Sequence, residues 1–231
     1  MKYIFCSFFF LLFLNVTSYS QESINQLDAN GKMHGVWKKK YPDSNQLRYE
    51  GTFNHGKEVG TFKYYCETCG KQPTAVSVFN DTDNSVWVQY FTIEGKLVSE
   101  GKMIDKEREG AWVSYHEKSK QVMSREVFRK GKLHGKQTTY YANGKITEEI
   151  SYEQGIKEGE NLYYSPEGVI IKKLQYRNDL LEGPATYYDA FGVVVIEGNY
   201  KEGKKHGLWR YFKNGKLELE ETYPKPLKKS N

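Results

Sequence analysis

The sequence predicts an all-β protein: an extended, single-layer antiparallel sheet of about eight stacked β-hairpin units. Three observations predict it, namely a glycine-marked internal repeat, an apolar pattern with a period of two, and a composition rich in tyrosine. The repeat is the most informative of the three, because a fixed step of 24 or 25 residues runs through almost the whole chain. Its marker positions are Gly35, Gly60, Ser85, Gly110, Gly135, Gly159, Gly183 and Gly207.

Each unit reads as a hairpin with one apolar and one polar face. After the turn at Asn143-Gly144, apolar and polar residues alternate from Ile146 to Tyr152, the period of a half-buried strand. An Asn-Gly pair also occurs at Asn214-Gly215, and both pairs predict type I′ turns, which require positive φ at two consecutive residues. A single hairpin buries too little apolar surface to be stable alone, so the units are expected to stack edge to edge.

Composition supports a thin sheet. Aromatic residues make up 15% of the chain, including 19 tyrosines, which is not typical of a disordered protein. The mean hydropathy of -0.75 is low for a compact enzyme. Tyrosine suits a surface on which one end of the side chain is buried and the other is wet.

The N-terminus has the three regions of a secretory signal peptide. Lys2 precedes an apolar run from Ile4 to Leu14, and small residues lead to an expected cleavage after Ser20. The run is too short for a membrane span, so the mature chain is expected to be soluble and exported to the periplasm, outer envelope or extracellular space. The predicted organisation is a signal peptide over 1–20, a short lead over 21–30, the repeat array over 31–223 and a basic tail over 224–231.

Charge and motifs argue against several function classes. The net charge of +5 is dispersed along the chain, which indicates neither a nucleic-acid groove nor a charged membrane surface. The sequence contains no phosphate-binding loop and no hydrolase or metalloprotease motif, so we expect no enzymatic activity, cofactor or metal site. His34, His134 and His206 each precede a marker glycine, and we interpret them as repeat positions and not as a cluster of ligands.

Cys66 and Cys69 depart from the repeat, because they follow Tyr64-Tyr65 where a hairpin turn is expected. In an oxidising compartment a structural disulfide across a four-residue turn is geometrically feasible. Free thiols, half of a metal site and a redox centre are the alternatives.

The aromatic face is the candidate binding surface. A one-layer sheet leaves aromatic side chains exposed, and binding energy concentrates in Trp and Tyr, so we expect contacts with a protein partner in preference to a glycan or a lipid. The alternative is that these rings only cover the sheet. The candidate contact residues are Trp37, Trp87, Trp112, Trp209, Tyr140 and Tyr187.

The pattern Gly-Lys-x-His-Gly-x-Trp, from Gly31 to Trp37 and again from Gly203 to Trp209, resembles the bacterial variant of the MORN repeat. The chain is also similar to YwqK-type antitoxin components. This resemblance implies a stacked-hairpin fold and a role in protein contacts, scaffolding or, in some cases, membrane attachment. The expected function is therefore an exported protein-interaction or scaffolding module. The alternatives are an antitoxin-like protein that sequesters a toxic partner, a glycan-binding protein and a purely structural envelope component.

Overall fold

The computed structural model describes residues 23–225, so the predicted signal peptide and residues 226–231 of the basic tail lie outside it. The described residues form nineteen β-strands in one antiparallel sheet, without a helix. Accordingly, this part of the chain has no helix long and apolar enough to cross a membrane. The predicted all-β fold of stacked hairpins is confirmed.

Strands follow one another through the described range with short connections. Their bounds are β1 Gln26–Leu27, β2 Met33–Lys40, β3 Leu47–Asn54, β4 Lys57–Tyr64, β5 Ala75–Phe79, β6 Ser85–Phe91, β7 Leu97–Ile104, β8 Glu107–Tyr115, β9 Val122–Arg129, β10 Lys132–Leu133, β11 Gly135–Tyr140, β12 Ile146–Glu153, β13 Ile156–Tyr164, β14 Ile170–Arg177, β15 Leu180–Leu181, β16 Gly183–Tyr188, β17 Val194–Lys201, β18 Lys204–Lys213 and β19 Lys216–Tyr223.

The strands pair in chain order. β10 and β11 both pair with β9, so they are two pieces of one strand, and β15 and β16 are likewise two pieces of the strand that pairs with β14. With these pieces joined and β1 set aside, sixteen long strands remain, which form eight hairpin units from β2–β3 to β18–β19. The number of units therefore matches the number of marker positions in the sequence.

The turns between units are tight except for residues 80–84 between units 2 and 3, whereas most turns within units are longer. His55-Gly56, with φ of +49° and +86°, is a two-residue turn of the type I′ kind between units 1 and 2. The predicted type I′ turn is confirmed at Asn214-Gly215, where both φ values are positive. At Asn143-Gly144 the prediction is wrong, because only Gly144 has positive φ. The register shift beside Tyr140 gives this turn additional residues, and it closes through a hydrogen bond from the Gly144 N–H to the Tyr141 carbonyl.

The marker glycine forms a β-bulge that places an aromatic ring on the backbone of the preceding strand. In unit 4, Lys102 pairs with Glu109 but Gly101 pairs with Trp112, so Gly110, with φ of +70°, and its neighbour are extra residues on β8. The Trp112 ring then lies against Gly101, where any Cβ would collide with it. The Trp112 indole also donates a 2.9 Å hydrogen bond to the Lys102 carbonyl at the bulge.

The same bulge recurs along the array. In unit 8 the Trp209 ring covers Gly198, and its indole donates to the Asn199 carbonyl at 3.0 Å. In unit 2 the ring of Phe62 covers Gly51. The recurring glycine eleven residues before the ring was not singled out in the sequence, although it is required for the ring to lie flat.

These rings build the core on one face of the sheet, here called the apolar face. Trp112 packs edge-on against Phe128, and the Arg108 guanidinium lies 4.5 Å from the centre of the indole ring. At the far end, Trp209 makes edge contacts with Tyr200 and Tyr223. The sheet is one layer thick, so each unit covers the rings of its neighbours. The opposite face is called the polar face.

A one-layer array predicts an elongated particle. A compact domain of roughly 211 residues, the chain after cleavage at Ser20, would have a radius of gyration of about 17 Å. We expect small-angle X-ray scattering of the mature monomer to give a clearly larger value. A measured value within an ångström or two of the compact one would contradict the open sheet.

Candidate binding surface

The four tryptophans share one position in the repeat but lie in different environments. Trp112 is 2% exposed and Trp209 is 1% exposed, so we correct the expectation that they are exposed partner anchors and assign them to packing. Trp37 is half-buried, and its indole donates to the Gln26 carbonyl at 3.0 Å. Trp87 is 44% exposed.

Trp87 is exposed because β5 of unit 2 and β6 of unit 3 are out of phase with the repeat by one residue. In unit 4, Gly110 pairs with Phe128, whereas Gly60 pairs with Phe79, one residue beyond the repeat position Val78. The preceding connection, residues 65–74, is longer than the other turns, so β5 begins later along the chain than the corresponding strands of the other units. A slip of one residue turns every side chain of a strand to the other face.

The slip continues into β6, because Ser85 replaces the marker glycine and no bulge forms there. Ser85 pairs with Ile104 in regular register, and Val78 pairs directly with Trp87 on the polar face. Val88 takes the buried position at 5% exposure. The Val78–Trp87 pair is therefore an apolar patch on the polar face.

The patch continues across neighbouring strands. Thr61 pairs with Val78 on one side and Lys102 pairs with Trp87 on the other. Val78, like Trp87, is 44% exposed. We call Thr61, Val78, Trp87 and Lys102 the Trp87 patch.

A hydrogen-bonded polar rim borders the Trp87 patch. Glu100 accepts hydrogen bonds from the Gln89 amide at 2.9 Å and the Tyr115 hydroxyl at 2.7 Å. The Tyr115 hydroxyl lowers the pKa of Glu100 more than any other group, so this carboxylate stays ionised at neutral pH. The rim is thus pre-ordered beside the exposed indole.

Elsewhere the polar face carries cross-strand ion pairs. Glu50 lies between Lys38 and Lys63, at 3.4 and 3.8 Å, and Arg210 bonds both Glu197 and Glu220. Exposed pairs of this kind contribute little stability each. These charged side chains contrast with the apolar Val78–Trp87 pair at the centre of the Trp87 patch.

The two tyrosine candidates are engaged in the fold. Tyr187 is half-buried on the apolar face, its hydroxyl lies 3.1 Å from that of Tyr200, and burial raises its pKa. Tyr140 is half-buried at the end of β11, and its carbonyl lies 3.0 Å from Nε2 of His116. Neither is as exposed as Trp87.

A recurring tyrosine–glutamate bridge was missed in the sequence. The hydroxyls of Tyr65, Tyr115 and Tyr164 each donate to a glutamate fifteen residues earlier, at 2.8, 2.7 and 2.9 Å. The acceptors are Glu50, Glu100 and Glu149. The recurrent spacing of fifteen residues was the available signal.

The histidines do not form a catalytic or metal cluster in the described residues, where no group of three or more His, Cys, Asp or Glu side chains could hold a metal ion. His34 lies against His55, with ring centres 4.7 Å apart, and Nδ1 of His55 is 2.6 Å from a carboxylate oxygen of Asp28. This hydrogen bond is the main cause that lowers the pKa of Asp28 to about 2. The sequence did not indicate the pair, because Asp28 lies in the lead outside the repeat.

Cys66 and Cys69 are bonded to each other in the turn of unit 2, with Cα atoms 5.3 Å apart. That the bond forms in an oxidising compartment stays a prediction. We expect mass spectrometry after blocking free thiols to find the pair unmodified until a reductant is added. Alkylation of both cysteines without reduction would contradict the bond.

Burial predicts opposite stability effects for two tryptophans at one repeat position. Trp112→Ala removes a buried ring and leaves the Lys102 carbonyl without its donor, so we expect a loss of about 3–5 kcal/mol in the free energy of unfolding. Trp87→Ala removes an exposed ring and should cost under about 1 kcal/mol. Urea unfolding followed by far-UV circular dichroism measures both values. Equal losses would contradict the inverted orientation of Trp87.

The tyrosine–glutamate bridges predict a stability loss in alkali. Burial, followed by the hydrogen-bonded glutamate, raises the pKa of Tyr65 and of Tyr164 to about 12. Because the unfolded value is about 10, their contribution to stability is complete below pH 10 and is lost as the pH rises through 12. Absorbance at 295 nm should show tyrosines that ionise later in the native protein than in urea. A single native midpoint near 10 would contradict this.

Comparison with protein families supports a MORN-repeat protein. Segments 133–154, 157–178, 181–202 and 205–223 match the MORN repeat variant model, with one match on each of units 5 to 8. Segments 49–64 and 197–208 match the MORN repeat model. No curated protein matches the chain. Units 5 to 8 of this array are therefore similar in sequence to MORN-variant repeats.

Proposed function

We propose that this chain is an exported protein-interaction scaffold that holds its partner through the Trp87 patch. The observation that carries the proposal is the 44% exposure of Trp87 on the polar face, directly paired with an equally exposed Val78. Repeats of the MORN type commonly mediate protein or membrane interactions, which supports an interaction role.

The chemistry of the Trp87 patch favours a protein over a lipid surface. Its apolar centre is bordered by Lys102 on one strand and by the carboxylate of Glu100 beside it. A membrane surface rich in anionic lipids would be met by clustered basic residues, whereas this rim carries both signs of charge. An apolar centre with an ordered polar rim is the arrangement found at protein interfaces.

The fold supplies the scaffolding part of the proposal. The two largest rings of the neighbouring units, Phe62 and Trp112, are buried on the apolar face, so stability does not depend on the exposed indole. The patch can therefore contribute to binding without a role in the core. Rigid strands on both sides also reduce the entropy lost when a partner binds.

The test compares two exposed apolar residues of the polar face. The secreted, folded chain is used as bait in a native envelope extract, with a photo-crosslinking amino acid at Val76, which lies on the same face as Trp87, to record the partner. Trp87→Ala should reduce capture about tenfold or more, because tryptophans at interface centres contribute about 2 kcal/mol or more. The matched control is Leu208→Ala, which removes a side chain that is 40% exposed in unit 8 and should leave capture unchanged.

Unchanged capture by the folded Trp87→Ala variant would overturn the proposed surface. Recovery of glycan or lipid in place of a crosslinked protein would overturn the proposed partner class. Capture of a toxic protein through Trp87 would support the surface and specify the antitoxin-like form of the function.

A further inference from the structure

The turns within the units lie side by side along one margin of the sheet, and several are tied to the next unit by a long side chain. The Tyr41 hydroxyl donates to the Tyr65 carbonyl at 2.8 Å, and the Tyr141 hydroxyl donates to the Tyr164 carbonyl at 2.8 Å. In unit 4, His116 makes the equivalent contact with the next unit. These bridges close the seams between adjacent turns.

Unit 3 lacks such a bridge at its first turn residue. Thr92 occupies this position, because its N–H closes the turn on the Lys96 carbonyl as the Tyr141 N–H does on the Lys145 carbonyl. The short Thr92 hydroxyl accepts hydrogen bonds from the backbone of its own turn, at 3.3 Å from Glu94 and 3.2 Å from Lys96. The side chain therefore folds back and does not reach the turn of unit 4.

A cavity of 560 Å³ opens at this seam. Its apolar wall is formed by Phe91, Leu97 and Tyr115, all of which are half-buried. The volume lies in the range of sites that hold small molecules, about 300–1,000 Å³. The seam is thus large enough for an apolar body the size of an aromatic ring with a short chain.

The rest of the cavity wall is positively charged. Lys96, Lys118 and Lys120 line it, and no carboxylate does. Among the described residues none of these lysines forms an ion pair. The adjacent acid Glu94 lies outside the wall, and its pKa is lowered mainly by a hydrogen bond with Thr92. A lysine stem can cover apolar surface while its ammonium group meets an anion.

We propose that the seam between units 3 and 4 is a binding site for a small organic carboxylate with an aromatic body. The ring would pack between Leu97 and Tyr115, and the carboxylate would be held by the lysine ammonium groups. This site lies at the turn margin, apart from Val78 and Trp87, and it shares only Tyr115 with the rim of the Trp87 patch.

The first experiment uses the folded wild-type chain and two probes of nearly equal shape, 4-phenylbutyrate and the neutral 4-phenylbutanamide. We expect titration with the acid to shift the Leu97 methyl resonances in NMR spectra, and the amide to bind at least tenfold more weakly. No shift with millimolar acid would overturn the site. Equal binding of acid and amide would overturn the assigned anionic class.

Variants separate the cavity from general surface charge. Leu97→Trp fills the cavity, and the triple change of Lys96, Lys118 and Lys120 to Gln removes its charge; both should abolish binding of the acid in calorimetry. The control variant removes the same amount of charge elsewhere, by changing to Gln three lysines of unit 8 and its boundary, Lys201, Lys204 and Lys216. It should bind the acid as tightly as the wild-type chain does. Loss of binding in the control, or unchanged binding in the folded Leu97→Trp variant, would contradict the proposal. If the Leu97→Trp variant fails to fold, the NMR titration of the wild-type chain still tests the site.

Discussion

The whole array depends on one local feature, the β-bulge at the marker glycine, which recurs in units 2 and 4 to 8. In units 2, 4 and 8 the bulge lays an aromatic ring flat on a glycine of the preceding strand. A bulge at a marker glycine such as Gly110 provides the contact, since positive φ lets two extra residues enter β8 and brings Trp112 over Gly101. The indole then satisfies the carbonyl beside the bulge. Repetition of this contact explains how a sheet of one layer buries tryptophans that a lone hairpin would expose, because each ring is covered by residues from the units on both sides.

Unit 3 shows what happens when this bulge is absent. Ser85 does not make the bulge, and β5 starts late, so Val78 and Trp87 pair with each other on the polar face. The exposed apolar surface costs stability in this unit, and the smaller Val88 fills the core in place of a ring. The turn of the same unit, which begins at Thr92, borders the cavity beside unit 4. Both proposed binding features involve unit 3, and the regular units serve as a rigid frame.

The polar contacts divide between the two faces in a regular way. Neighbouring acids such as Glu148 and Glu149 point to opposite faces, where Glu148 accepts from Asn161 and Glu149 accepts from Tyr164. They are thus bound into separate parts of the sheet, and the bridges from tyrosine to glutamate stiffen the polar face between ion pairs. This arrangement agrees with a binding or structural module, since acids that point to opposite faces cannot act together on one substrate.

The sequence by itself determined the fold class, the eight units and the alternation of an apolar and a polar face, because a repeat of 24 or 25 residues and a period of two depend only on local geometry. It also indicated the turn that holds Cys66 and Cys69. The tertiary structure alone decided which face each tryptophan occupies. Trp87 and Trp112 have the same position in the repeat, yet a shift of one residue in strand pairing reverses their exposure. Register is set by the length of a turn and by the pairing of distant strands, and those are properties of the assembled sheet.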